Sequence, residues 1–358
     1  MSSNYVIKLT ALGPRVRGGL RAKCLPKDKL NALILAQTID DAINALKGTD
    51  YGNVIEKLGK ITDEAQITNE IRTYVVKSIS SLASSVPSPA STILKSYLMR
   101  LELENIKVIA KSLMKGLEGG VTLESMINVA VEEELGRRHV LAAIMSVRDI
   151  EDLRNKLMEM HHPAGPALDS FVKVSKQYSQ YGNALIDTLI DRAFIEYLAH
   201  LAEIDNSVGK FVKGLIDFYN LNVFLRSKLW GGLSQELVNE LVIRTGNVFS
   251  TAIKIYGESP TRILEEVASV FPSLDQLIKV AGSSDLRTLV QYLGPFSYRF
   301  AKDLEEYMVS LFTEFSPGAA LATVHFRFIE SDLVITLLNA FLEGLPRDFI
   351  VKLYGPVI

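Results

Sequence analysis

Three short segments of one design recur at equal intervals along this chain. Gly120-Val121-Thr122-Leu123-Glu124, Gly232-Leu233-Ser234-Gln235-Glu236 and Gly344-Leu345-Pro346-Arg347-Asp348 lie two steps of 112 residues apart. Each reads glycine, a branched apolar residue, a helix-starting residue, a spacer and an acid. The hydroxyls of Thr122 and Ser234 can accept an orphan N–H of a first helical turn. Pro346 suits the same junction through its fixed φ and missing N–H. The acids two residues on sit where the positive end of the helix dipole favours them. An internal triplication restricts the fold severely, because three units of more than a hundred residues, each near the size of a small domain, must share one backbone plan. The expected divisions are 1–122 with the N-terminal segment, 123–234 and 235–358.

The likeness continues upstream of each junction. Glu102-Leu-Glu-Asn105 and Asp217-Phe-Tyr-Asn220 both give an acid and then Asn three residues on, followed by apolar positions and a basic end. The third copy, Glu330-Ser-Asp332-Leu-Val-Ile, has no Asn at this place. The glycine interval sets Asp332 opposite Asn220, whereas matching acids sets it opposite Asp217. Tyr74, Tyr197 and Tyr307 open similar apolar stretches further upstream. The recurrence of acid and Asn suggests a fold-specifying role: Asn bonding a neighbouring helix, and the acid pairing with Arg100, Lys111, Arg226 or Lys228.

Helical periodicity runs through most of the chain. Leu30, Leu33, Ile34, Ile43 and Leu46 follow three-and-four spacing, and Gly48-Thr-Asp-Tyr51-Gly52 reads as a helix exit. Long helices are expected over 63–84, 91–115, 169–203, 209–229, 296–315 and 319–343, with others over 123–135, 140–160 and 234–248. Prolines 87 and 89 force a loop, and His161-His-Pro163-Ala-Gly165-Pro166 is a further break. Val324–Ile329 alternates briefly but leads into a helix. The expected class is all-α.

The charges nearly cancel, with 39 basic and 41 acidic residues, which argues against a nucleic-acid partner. The single cysteine, Cys24, excludes an internal disulfide and fits a reducing compartment. Hydrophobic residues make up 48%, yet no run reaches the roughly 18–20 apolar residues of a membrane span. Lys8, Arg15 and Arg17 interrupt any secretory core near the start. A soluble or peripheral protein with surplus apolar surface for an interface is expected.

Candidate chemistry is sparse. His161 and His162 point about 100° apart on a helix and lack nearby acid or Cys ligands, so a solvated helix end is the expected reading. Asp40-Asp41 lacks the third acid of a magnesium motif. Asp187 and Asp191 form an i,i+4 pair beside Arg192, read as a hydrated face with a local ion pair, or alternatively as the magnesium ligands of an all-α enzyme. There is no phosphate-binding Gly-rich loop and no nucleophile constellation, so no cofactor and no catalytic site are expected.

Taken in order, several segments resemble the C subunit of V/A-type rotary ATPases, the family of the eukaryotic d subunit. They are Tyr5 through Arg15-Val-Arg17-Gly-Gly-Leu20, then Leu46-Lys-Gly-Thr49-Asp-Tyr51-Gly52, and the Glu102/Asn105 and Asp217/Asn220 helices, each followed by glycine. The chain departs from the family pattern at Ala110-Lys111, at Asp332 without Asn, and in the Pro/Ser-rich stretch 86–92. The resemblance implies three helical bundles about a pseudo-threefold axis, forming a funnel. Its narrow side would rest on the membrane proteolipid c ring, and its open side would receive the central shaft of the D and F subunits. The role would be non-catalytic: coupling ATP turnover on other subunits to H⁺ or Na⁺ transport at the cytoplasmic membrane face, with the membrane touched only through the ring. Arg15, Arg17, Arg21, Arg226 and Lys228 are candidate partner contacts, as are the Pro87/Pro89 loop and the helix starts at Thr122, Ser234 and Pro346. A helical-repeat scaffold with soluble partners is the alternative.

Overall fold

The structure is a computed structural model that describes residues 12–59, 63–115, 123–230, 233–268, 274–283, 285–312 and 316–355. Gly120, Thr122 and Gly232 lie outside the described residues. Among those described, regular structure is helical throughout. The N-terminal segment forms α1 (Leu12–Gly19), α2 (Lys27–Ile34), α3 (Ile39–Leu46) and α4 (Asp50–Glu56). Then come α5 (Glu64–Ser85), α6 (Ala90–Ser96), α7 (Leu98–Lys115), α8 (Leu123–Met126), α9 (Val129–Leu135), α10 (Arg138–Met145), α11 (Ile150–Glu159) and α12 (Ala164–Ser175). The middle holds α13 (Gly182–His200), α14 (Asn206–Leu229), α15 (Gln235–Leu241), α16 (Asn247–Ala252), α17 (Pro260–Val267) and α18 (Asp275–Ser283). The chain ends with α19 (Leu286–Phe312), α20 (Pro317–Leu342) and α21 (Arg347–Tyr354).

Several expected long helices are interrupted. The 91–115 segment divides at Tyr97 into α6 and α7, and 140–160 divides into α10 and α11, where Asp149 Oδ1 caps the N–H of Asp152 at 2.8 Å. The 169–203 segment divides between α12 and α13. Gly48-Thr49 is an exit followed at once by an entry: Thr49 Oγ1 accepts the N–H of Gly52 at 3.1 Å and opens α4. Ser234 caps α15 as expected, accepting from Leu237 N at 3.3 Å. Gly344 ends α20 at φ +70, with Leu345 N bonded to Ala340 O at 2.9 Å, the left-handed exit that glycine makes easy.

Helix α20 is apolar on nearly every side, and it is surrounded: α3, α5, α6, α14 and α19 all pack on it. The contacts close into a cycle that runs α5, α20, α14, α13, α7, α6 and back to α5. One apolar core extends from Leu12 to Phe328. A second joins residues 25–71 to residues 298–354, so the N-terminal segment is packed onto the last helices. The first turns of α14 and α20 touch. Ser207 Oγ accepts the N–H of Gly318 at 2.8 Å, and a Cβ on Gly318 would stand 2.2 Å from the Ser207 carbonyl oxygen. Only glycine permits this approach.

Candidate functional site

Three aromatic side chains, one from each long-helix region, meet at the centre of the cycle. Tyr97, Phe211 and His325 are spaced by two steps of 114 residues. The His325 ring lies 6.0 Å from that of Tyr97 and 5.8 Å from that of Phe211. Its Nδ1 shares a 2.7 Å hydrogen bond with the Tyr97 hydroxyl. Burial, aided by nearby Arg100, holds the His325 pKa down to about 3, so the ring is neutral at physiological pH.

Beside His325 a socket of about 270 Å³ opens between α7, α13, α14, α19 and α20. Its wall carries Arg100, Asp191, Arg226 and Asp332 above Phe194 and His325. Most of its charge is committed internally. Arg100 Nη1 lies 2.8 Å from Asp191 and its Nε 3.2 Å from Glu104, while Lys107 Nζ reaches Asp191 at 2.6 Å and Glu104 at 2.9 Å. Burial disfavours the charge on Glu104, but Lys107 and Arg100 outweigh it and hold its pKa down to about 2. Burial likewise opposes the charge on Lys107, and Asp191 and Glu104 reverse the effect, so its pKa is raised. Asp332 faces Arg72 at 3.6 Å. Asp187 is paired with Lys111 at 2.5 Å. The expected hydrated face at Asp187 and Asp191 is thus a semi-buried ionic seam between α7 and α13, and both carboxylates already carry cationic partners. A second hollow, of about 300 Å³, lies on the flank between α12 and α13, where Arg192 and Glu196 pair with each other at 2.7 Å.

The acid/Asn pattern builds the frame around the socket. Asn105 Oδ1 accepts Asn128 N at 2.9 Å and its amide donates to Asn128 O at 3.0 Å. Asn220 Oδ1 accepts Ile243 N at 2.9 Å and its amide donates to Ile243 O at 2.9 Å. The partner lies 23 residues on in both cases. Both Asn side chains are buried, so each pins an outlying segment onto its long helix. The acids do not find the cations expected for them. Arg100 stands about 200° around the helix from Glu102, and Lys111 and Arg226 stand about 180° from Glu102 and Asp217; Lys228 shares Asp217's face but three turns away. Asp217 instead accepts Val248 N at 2.9 Å. Glu102 faces Arg137 Nε at 3.2 Å and His162 Nε2 at 3.6 Å.

His162 corrects its own expectation. It is 1% exposed, and its Nδ1 accepts the N–H of Ala164 at 3.1 Å; only His161 is exposed. Glu132 completes the cluster, fully buried beside the Glu102 carboxylate and with Oε1 accepting from the Asn105 amide at 3.3 Å. Its pKa is pushed up to about 8, by burial first and by the Glu102 charge second.

In the third long helix the buried oxygen that accepts an outlying main-chain N–H is Glu330. Its Oε1 takes Leu25 N at 2.7 Å and its Oε2 takes the Tyr51 hydroxyl at 3.1 Å. Asp332 sits on the socket wall and makes no such bond. The counterpart of the outlying segment is therefore supplied by the N-terminal residues, with Arg327 stacked 4.4 Å from the Tyr51 ring and bonded to Glu330. The sequence signal that finds the centre is the 114-residue step of Tyr97, Phe211 and His325. The tyrosines at 74, 197 and 307 do not mark it, since Tyr307 is 52% exposed and Tyr74 bonds Asp50.

The basic candidates are scattered. Arg15 and Arg17 are exposed on α1, and Arg21 lies 3.1 Å from the buried Glu305. Lys228 rests 4.6 Å over the Tyr256 ring. Arg226 alone of the five lines the socket.

This all-helical chain matches the ATP synthase (C/AC39) subunit family over residues 14–353, and it belongs to that family. It is similar to the C subunit of the A-type ATP synthase of Methanocaldococcus jannaschii, with 24% identity over 234 residues. That stretch takes in 63% of this chain and spans 55% of the relative's length, little more than half of it.

Proposed function

We propose that this chain is the non-catalytic coupling subunit of an A-type rotary ATP synthase. In this role it stands between the D/F shaft and the membrane proteolipid ring and links ATP turnover on other subunits to H⁺ or Na⁺ flow. Three units, 1–122, 123–234 and 235–358, would frame a funnel about a pseudo-threefold axis, on the cytoplasmic face of the membrane. The observation that carries this role is the socket, which has Phe194 and His325 in its lining and is walled by helices from all three units. A concave seat on the axis of a cyclic frame suits the end of a shaft. The closed end, where the first turns of α14 and α20 meet, would face the ring. Exposed apolar side chains there, Ile204 (49%) and Leu311 (50%), supply contact surface. Among the described residues no helix is long and apolar enough to cross a membrane, which is compatible with ring contact from outside the bilayer. Close packing suits a part that transmits torque, since dense cores are stiff.

The experiment is co-isolation. Tagged protein extracted with mild detergent is expected to bring down the proteolipid ring and the shaft subunits together. Recovery only from the soluble fraction, free of both under conditions that preserve the holoenzyme, favours the scaffold alternative and defeats the proposal.

A further inference from the structure

Arg226 differs from every other charged group on the socket wall. Arg100 and Asp191 are paired with each other and with groups of the α7–α13 seam, and Asp332 faces Arg72. The neutral polar groups are spent as well: the Ser297, Thr188 and Tyr219 hydroxyls and the Asn222 amide each donate to a main-chain carbonyl. Arg226 is half-buried, its Nε is out of reach of solvent, and that atom has no hydrogen-bond partner. Among the described residues the Arg226 guanidinium forms no ion pair. A buried, unsatisfied N–H of a charged group is costly, on the order of 1–3 kcal/mol or more. A fold keeps such a group readily when a partner supplies the missing acceptor.

The size of the socket limits that partner. A helix with its side chains is about 10–12 Å across and rises 1.5 Å per residue. Spread over that cross-section, 270 Å³ is roughly 3 Å deep, about two residues of helix. The socket takes the tip of a helical rod and no more.

We infer that the socket seats the end of the shaft by accepting a carboxylate from it on the guanidinium of Arg226. The inference rests on the coupling role proposed above and deepens it by naming the chemistry of the contact. A carboxylate can take two parallel N–H bonds from arginine, which fixes direction as well as position. The apolar floor of Phe194 and His325 lowers the local dielectric and strengthens that bond.

The test uses the full chain and the purified D/F shaft subcomplex of the same complex, titrated at low and high salt. Wild type is expected to bind with an affinity that falls as salt rises. R226Q is expected to bind about ten-fold or more weakly, with a shallower salt dependence, and R226K to fall between them because it keeps charge without the fork. Arg262→Gln, on the outer helix α17 and paired with Glu265 and Glu266, is the matched control and should bind as wild type. Phenylglyoxal labelling of Arg226 in the unmutated protein, read by mass spectrometry, removes any dependence on variant folding: the shaft should protect it several-fold. Unchanged affinity and salt slope in R226Q, or equal labelling with and without shaft, overturns the inference and leaves the coupling role standing. Failure of wild type to bind the shaft at any salt overturns both.

Discussion

The buried carboxyl pair Glu102–Glu132 should make stability depend on pH in a direction opposite to most acid groups, and Glu132→Gln should abolish that dependence. Burial and the adjacent Glu102 raise the Glu132 pKa from an ordinary 4.5 to about 8 in the folded chain. The groups facing the pair are Arg137, His162 and Asn105. A carboxyl that holds its proton more tightly when folded releases it on unfolding between those two values. Stability therefore falls as pH rises from about 4.5 to 8, and is flat on either side. At 1.36 kcal/mol per pH unit the whole interval sets a ceiling of about 5 kcal/mol. Local relaxation and water entry bring the expected effect to about 1–3 kcal/mol. Glutamine keeps the shape, can donate to Glu102 and can accept from Asn105, but has no proton to lose. The assay is urea unfolding of both proteins from pH 5 to pH 9. The difference between the two curves cancels other titrating groups. At pH 5 they should agree within about 0.5 kcal/mol, and at pH 8.5 the variant should be more stable by about 1–3 kcal/mol. Parallel curves across the range would refute the reasoning, because they would mean that Glu132 ionises as easily in the folded chain as in the unfolded one.

Asn220→Ala strips a fully buried side chain that serves three main-chain groups, and should cost on the order of 2–4 kcal/mol by chemical denaturation; a loss below about 0.5 kcal/mol would mean water replaces it freely. Gly318→Ala forces a methyl group into the main chain of Ser207, with expected destabilisation of about 1–3 kcal/mol or more and a visibly lower Tm; a wild-type Tm would show that the α14–α20 approach yields easily. The double change D187N with D191N leaves Arg100, Lys107 and Lys111 without their α13 partners and should lower stability by a few kcal/mol, somewhat discounted because both acids are about one-third exposed. Millimolar magnesium should leave the wild-type Tm unmoved, whereas a ligand-linked rise would restore these acids as a metal site.

The sequence discloses the all-helical class because it is written in periodicity, the three-and-four spacing of the helices, while the triplication is a reading of the recurring glycine and acid/Asn pattern in the sequence. The partner of each Asn is not legible, since it lies 23 residues further on, beyond a change of chain direction. Helix breaks at Tyr97 and Asp149 escape a sequence reading because an apolar pattern runs straight through both. His162 escapes it for a related reason. A histidine at a helix end usually meets water, and only the return of the chain brings Glu102 against it. The third copy misleads most, because the side chain that takes the outlying main-chain N–H is Glu330, off the interval that relates Asn105 to Asn220, and its outlying segment comes from the far end of the chain, an exchange that no repeat interval can show. Of the five basic candidates, the sequence cannot single out Arg226, since pairing is a property of three-dimensional neighbours.

That last point bears on how a threefold frame could hold a single shaft. The 115-residue step that relates Asn105 to Asn220 relates Lys111 to Arg226. Lys111 is neutralised by Asp187 at 2.5 Å, while Arg226 has no counter-charge among the described residues. One further step of 114, the step that relates Tyr97, Phe211 and His325, reaches Ala340, which is buried and apolar. The positions related by these sequence steps carry a quenched cation, a cation without a counter-charge among the described residues, and no charge. A socket with three equal walls would accept a shaft tip in three orientations with equal probability, and torque applied to it could slip by a third of a turn. A single charge-assisted contact that favours one orientation by about 1.4 kcal/mol makes it ten times more populated than either other, and 2–3 kcal/mol makes slippage rare. If the chain seats a shaft as proposed, the repeat would supply the central seat and the divergence of its copies the key that fixes rotation.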